Sequence, residues 1–154
     1  MLPGRVVQEL QSIAIQLVRN AVSHGIETPA ERNALNKLPV GEISIRLENP
    51  GNGDYDFIVR DDGHGIVPAH LRNQLVATGR LTKEEVAAMS DIEVARYIFQ
   101  PGVSTARRSA NRDAGHGVGL DAVMEKIKGI QGYMQVKSSP NLFTEFHAHF
   151  KLPA

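Results

Sequence analysis

Tyr55-Asp56-Phe57-Ile58-Val59-Arg60-Asp61-Asp62-Gly63-His64-Gly65-Ile66 is the stretch on which the fold turns: Tyr55, Phe57 and Val59 alternate as in a strand, and the strand passes directly into a glycine loop. Upstream, Ile43, Ile45 and Leu47 alternate with Glu42, Ser44 and Arg46, which predicts a half-buried strand over residues 41–47. Asn49-Pro50-Gly51-Asn52-Gly53 between the two is a turn, so they form a hairpin. Before the hairpin, Val6, Val7, Leu10, Ile13, Ala14, Leu17, Val18 and Ala21 recur every three or four residues and predict one long amphipathic helix over residues 6–24. A polar line interrupts it: Ser12, Gln16, Asn20 and Ser23, with His24 alongside, stack on one face by i,i+4 geometry. Such a line is either a solvated stripe or the wall of a ligand site.

After the glycine loop, two Ser/Thr-x-x-Glu capping boxes, Thr82 with Glu85 and Ser90 with Glu93, open short helices, and Pro101-Gly102 stops the second. Residues 102–117 have no sustained apolar period and read as a long functional loop, a candidate lid over about residues 100–118. A helix follows over residues 119–128, with Leu120, Val123, Met124 and Ile127 on one face. Residues 133–137 and 144–152 form a second hairpin, Phe146, Ala148, Phe150 and Leu152 sharing a side. The order helix, hairpin, helices, hairpin predicts an α+β fold with a mostly antiparallel sheet.

Composition narrows the function. The 154 residues suit one domain, and 17 Lys+Arg against 17 Asp+Glu argue against a bulk electrostatic grip on nucleic acid or an anionic membrane. Five Phe, three Tyr and no Trp leave little for a base-stacking platform, and the absence of Cys excludes disulfides, thiolate metal sites and a cysteine nucleophile. There is no apolar run of membrane length and no signal-peptide pattern at the start, so the expected location is cytoplasmic. His147 and His149 share a strand face, where polar edge residues are the ordinary reading and a metal the rarer one.

Neither a Gly-x-x-x-x-Gly-Lys-[Ser/Thr] loop nor a Gly-x-Gly-x-x-Gly turn is present. Instead there are two glycine clusters: Asp61-Asp62-Gly63-His64-Gly65-Ile66 after a strand, and Gly115-His116-Gly117-Val118-Gly119-Leu120 before a helix, whose unpaired N-terminal amides suit an anion. Each cluster alone also fits ordinary turn glycines.

Four segments in order resemble the motifs of the histidine-kinase ATP-binding domain, most closely its CheA-like chemotaxis variety. They are Leu17-Val18-Arg19-Asn20-Ala21-Val22-Ser23-His24-Gly25-Ile26-Glu27, the Asp61 cluster, Ile98-Phe99-Gln100-Pro101-Gly102-Val103-Ser104-Thr105-Ala106, and the Gly115 cluster with Asp121. The closing Thr144-x-Phe146 belongs to the same pattern. The resemblance implies the two-layer α/β sandwich of the GHKL (Bergerat) ATPases, with helices on one face of a mixed, mostly antiparallel sheet and a mobile lid. It implies that Asn20 holds Mg²⁺ bridging the ATP phosphates, with His24 as a polar or phosphate contact. Asp61 would accept a hydrogen bond from the adenine amine while Gly63 and Gly65, followed by Ile66, close against the base; Asp62 would point to the opposite face. Gly115, His116, Gly117, Val118, Gly119 and Leu120 would hinge the lid and present amides to the phosphates, Ser104 and Thr105 would add hydroxyls, Arg107 and Arg108 charge, and Thr144 would line the nucleotide.

The implied activity is transfer of the γ-phosphoryl group to a histidine on a separate phosphotransfer or dimerisation domain, with a response regulator downstream. The acceptor domain has no room in these residues, so a monomeric piece of a longer kinase is expected. Two positions depart from the family pattern. Gln16 stands where Glu or His is usual, one turn before Asn20; it offers magnesium an amide oxygen or orients a water, but takes no proton, which leaves open an ATP-sensing module without transfer. Asn36-Lys37-Leu38-Pro39 stands where Gly-Lys-Pro is common and reads as loop variation.

Overall fold

The computed structural model describes residues 1–100, 103 and 119–153. They form two compact units, Met1–Gly65 with Glu125–Ala154, and Ile66–Met124.

The first unit is a sheet with a helix laid on it. Strands β1 (Ile43–Gly51), β2 (Asp54–Asp61), β3 (Tyr133–Ser139) and β4 (Phe143–Lys151) lie in the order β1-β2-β4-β3, and all three pairings are antiparallel. The two hairpins are thus joined through their second strands. Phe57, Val59, Phe146, Ala148 and Phe150 turn to the buried face. Helix α1 (Gly4–Asn20) lies against β2 and buries Val6, Leu10, Ile13 and Leu17 at the spacing its sequence prescribes. The other sheet face is polar: Arg60 bonds Glu145, and Asp56 Oδ1 accepts from His147 Nε2 at 2.8 Å and His149 Nδ1 at 3.0 Å. His147 and His149 therefore belong to carboxylate pairs, and the described residues contain no group of three or more ligands suited to a metal ion.

Several features differ from the sequence reading; the turn expected over residues 49–53 shortens to Asn52-Gly53, because β1 continues through Gly51. The α-helix ends at Asn20, and Ala21–Gly25 form a π-helical turn closed by the Ile26 amide on the Ala21 carbonyl at 2.7 Å. Ser23 and His24 consequently leave the i,i+4 line of Gln16 and Asn20. The wider turn frees the His24 and Gly25 carbonyls to accept from His64, by its Nε2 and its backbone amide respectively. Strand β1 is more exposed than half-buried, with Ile45 48% and Leu47 46% accessible, whereas the other edge strand, β3, buries Met134. Helix α2 (Pro29–Ala34) is additional, opened by a capping box in which Thr28 and Glu31 bond reciprocally, with Pro29 in its first turn.

The second unit is helical. Helices α3 (Pro68–Ala77), α4 (Lys83–Ala88) and α5 (Asp91–Arg96) pack through Leu71, Leu75, Val86 and Val94, and the capping boxes at Thr82 and Ser90 form as the sequence predicts. A 3-10 turn, Tyr97–Phe99, extends α5. Gln74 reaches the Val103 carbonyl. Helix α6 (Leu120–Gly129) begins directly after Gly119, and its later residue Ile127 is fully buried in the first unit.

Candidate functional site

The end of β2 gathers several of the residues expected from the sequence. Asp61 is the last residue of the strand, 6% exposed, and its cross-strand partner on β4 is the equally inward Thr144 at 9%. The Asp61 side chain accepts from the Gly63 amide at 2.9 Å through Oδ1. Among the described residues Oδ2 carries no hydrogen bond, and neither does the Thr144 hydroxyl. Among the described residues no fully buried side-chain nitrogen or oxygen lacks a partner, so the spare Asp61 oxygen is accessible from outside and open to a hydrogen bond from water or a ligand. Burial pushes the Asp61 carboxyl above the ordinary aspartate value, with the charges of Asp62 and Glu27 adding to the rise, against the lowering effects of the Gly63 amide and His64.

The loop beyond Asp61 is held at His64, through both its amide and its carbonyl. The His64 amide donates to the Gly25 carbonyl at 2.9 Å, and the Asn141 amide, in the β3–β4 turn, donates to the His64 carbonyl at 2.7 Å. Both glycines are required by contact. A Cβ at Gly63 would overlap the Gly25 carbonyl and lie 2.7 Å from Asp61 Oδ1; at Gly65, where φ is +71°, it would lie 2.5 Å from the Ser139 carbonyl oxygen. The main chain here is as close to its neighbours as backbone allows.

On α1, Gln16 and Asn20 sit one turn apart, and the Gln16 amide nitrogen donates to Asn20 Oδ1 at 3.4 Å. Their two amide oxygens are a hard donor set, suited to a cation that arrives with phosphates and retains water. The His24 side chain is exposed on the π turn, and its carbonyl belongs to the His64 contact. The structure therefore brings Asp61, Gly63, Gly65 and Thr144 together, and ties His24 to them through His64. Ile66, Gly119 and Leu120 lie in the second unit: Ile66 is half-buried, and Gly119 and Leu120 are buried where α6 starts. Ser104, Thr105, Arg107, Arg108, Gly115, His116, Gly117 and Val118, with most of the expected lid, lie outside the described residues.

Sequence reasoning gave no shared role to four residues behind the loop, Glu27, Arg32, Lys37 and Asp62. Asp62 pairs with Arg32 at 2.7 Å, and Glu27 bonds both Arg32 at 2.9 Å and Lys37 at 2.5 Å. Lys37, read as loop variation, donates to the Asp62 and Gly63 carbonyls at 2.8 and 3.0 Å. Burial pushes the Asp62 and Glu27 carboxyls up, but their bonds to Arg32 and Lys37, to backbone amides and the nearby charges outweigh it and leave both low. The signal available was Thr28-Pro29-Ala30-Glu31, a capping box of the same form as the two recognised downstream.

Residues 6–154 match the family of histidine kinase-, DNA gyrase B- and HSP90-like ATPases, and the chain belongs to that family. Within it the chain is CheA-like. It is 38% identical over 148 residues, 96% of its length, to the chemotaxis protein CheA of Borreliella burgdorferi, and 34% identical over 139 residues, 90% of its length, to the sensor histidine kinase CheAY of Helicobacter pylori. It spans only 16% and 17% of those two proteins. Among solved structures, the histidine kinase domain of the blue-light activated kinase EL346 from Erythrobacter litoralis shares the fold, with a TM-score of 0.55 at 12% identity, over 98% of this chain and 46% of that one. This is the α+β fold of the GHKL ATPases. Among the described residues no helix is long and apolar enough to cross a membrane.

Proposed function

We propose that this chain is a single ATP-binding catalytic domain that takes Mg-ATP and donates the γ-phosphoryl group to a histidine on a separate phosphotransfer or dimerisation domain, within two-component signalling. The observation that carries the reading is the buried Asp61 carboxylate, with one oxygen unused and glycines packed on its far side. Such a group selects a base with an exocyclic amine, and the family and the CheA-named relatives supply the class of reaction. Asp61 accepts from the adenine amine, Gly63, Gly65 and Ile66 close on the ring, and Thr144 adds its hydroxyl beside them. Asn20, oriented by Gln16, holds the cation and His24 meets phosphate oxygens. Magnesium, when bound, neutralises phosphate charge and fixes the γ-phosphoryl group for in-line attack. In that attack an imidazole nitrogen forms the new N–P bond as the bond to the β,γ-bridging oxygen breaks, the imidazole proton leaves to solvent and ADP departs. Ser104, Thr105, Gly115, His116, Gly117, Val118, Gly119 and Leu120 take the phosphate-facing and hinge roles of the lid. A response regulator then accepts the phosphoryl group. The domain works in the cytoplasm, monomeric by itself, without nucleic acid or direct membrane contact.

The test has two stages. Calorimetric titration with ATP and ADP, with and without Mg²⁺, should show binding. Adding a CheA-type histidine domain should then give an acid-labile, base-stable phosphohistidine. Binding without any phosphohistidine favours the second reading, an ATP-sensing module that regulates a partner, for which Gln16 is the specific observation: it cannot take a proton as Glu or His can.

A further inference from the structure

Arg32 is 1% exposed, yet it carries a full charge in the same unit as Asp61. All its donors are used. Nε donates to the Leu38 carbonyl at 2.6 Å, Nη1 to Glu27 at 2.9 Å and to Asp62 Oδ1 at 3.2 Å, and Nη2 to Asp62 Oδ2 at 2.7 Å and the Val40 carbonyl at 3.5 Å. The Arg32–Asp62 pair is bidentate, the geometry that fixes orientation as well as distance. Lys37 divides its three donors among Glu27 and the carbonyls of Asp62 and Gly63. Asp62 is clamped once more, since Oδ1 accepts from the Glu42 amide at 2.9 Å and its own amide donates to the Glu42 carbonyl at 3.2 Å.

Two cations and two carboxylates make a neutral set, and stability alone does not explain it. A buried ion network is commonly no more stabilising than apolar side chains of the same volume. What it does, and apolar packing does not, is aim donors at the carbonyls of the two residues that follow Asp61. Asp61 Oδ1 is in turn tied to the Gly63 amide. Fixing the peptides of residues 62 and 63 therefore fixes the direction in which the spare Asp61 oxygen points, and recognition of one ligand atom degrades with sub-ångström displacement.

We infer that Glu27, Arg32, Lys37 and Asp62 are positioning residues for base recognition: they lock the peptides after Asp61 so that its carboxylate meets a 6-amino purine and rejects a 6-oxo one. The inference rests on the reading of Asp61 as the acceptor of the base amine.

The experiment compares ATP with ITP, which keeps the sugar and phosphates but carries an oxygen in place of the amine. Dissociation constants are measured by calorimetry for the whole chain, for Lys37→Met, which keeps the stem and removes the donors, and for Val94→Ala. The last loses packing in the other unit, where Val94 is fully buried, and serves as a destabilised control. The wild-type chain is expected to prefer ATP by about tenfold or more. Lys37→Met should weaken ATP about tenfold while leaving ITP within about twofold, collapsing the preference; Val94→Ala should keep the preference despite a lower melting temperature. An unchanged ATP-to-ITP ratio in Lys37→Met overturns the positioning role and leaves the base-acceptor reading intact. A wild-type chain that binds neither nucleotide, or both alike, overturns both. If Lys37→Met shows no cooperative unfolding, Glu27→Gln, which keeps the shape of an acceptor and removes its charge, is read the same way: a reduced preference supports the role and an intact one overturns it.

Discussion

Asp61 and Thr144 stand directly opposite each other across the β2–β4 pair, the carboxylate and the hydroxyl on the same buried face at the same end of the sheet. Cross-strand partners share a face, so one register sets both groups side by side. Under the function proposed above, replacing Asp61 by Ala leaves the base amine without its acceptor. ATP and ADP affinities should both fall about 10- to 100-fold, corresponding to about 1–3 kcal/mol, as measured by calorimetry.

The same carboxylate has the opposite effect on the empty protein. A carboxyl whose folded-state pKa is raised favours folding while protonated, and that contribution is lost as pH rises through the folded value. At neutral pH the charge is therefore a burden, and Asp61→Asn, which retains an oxygen for the Gly63 amide, should melt higher than wild type without ligand while binding ATP about tenfold or more weakly. Differential scanning calorimetry of the two apo proteins checks the sign. Lowering the pH should weaken ADP binding to wild type at a value above the usual aspartate titration, and this limb should vanish in Asp61→Asn.

Two glycines give opposite outcomes on substitution. Gly63→Ala forces its Cβ onto the Gly25 carbonyl and Asp61, so nucleotide binding should disappear and thermal stability drop. Gly129→Ala, at the end of α6 with nothing near its Cβ, should be neutral or raise stability by up to about 1 kcal/mol. Thermal shift with and without ATP separates them.

Asp56 makes a prediction on the other sheet face. Bonds from His147 and then His149 hold its carboxyl below the ordinary value of 3.8, with burial opposing. A depressed carboxyl stabilises the fold above its unfolded pKa, and the contribution is lost as pH falls through the folded value. Asp56→Asn should thus unfold at lower urea than wild type at pH 7, and the gap should narrow below pH 3.8.

Most of the frame was legible because its signals are local. The period of Val6, Leu10, Ile13 and Leu17 specifies α1, alternation specifies the hairpins, and Thr82-x-x-Glu85 and Ser90-x-x-Glu93 mark helix starts that the structure contains. Asp61 and Gly63 were singled out by a motif, and the structure joins them through the Gly63 amide. Arg32 and Lys37 were not, because their partners Asp62 and Gly63 lie 25 to 30 residues away along the chain and no periodicity encodes such a pairing. The exposure of Ile45 and Leu47 was missed for a related reason: alternation shows that a strand has two faces, but how far a face is covered depends on elements distant in the chain.

The π turn at Ala21–Gly25 has a consequence for how such a sequence can change over generations. A π turn holds one residue more than the α turn it replaces, so deleting any residue between Asn20 and Ile26 would let the helix revert to α and rotate the His24 and Gly25 carbonyls away from His64. Side chains at exposed Val22 and Ser23 are open to substitution, whereas the number of residues is not. Lineages carrying this domain are expected to vary in letters across this segment and to keep its length.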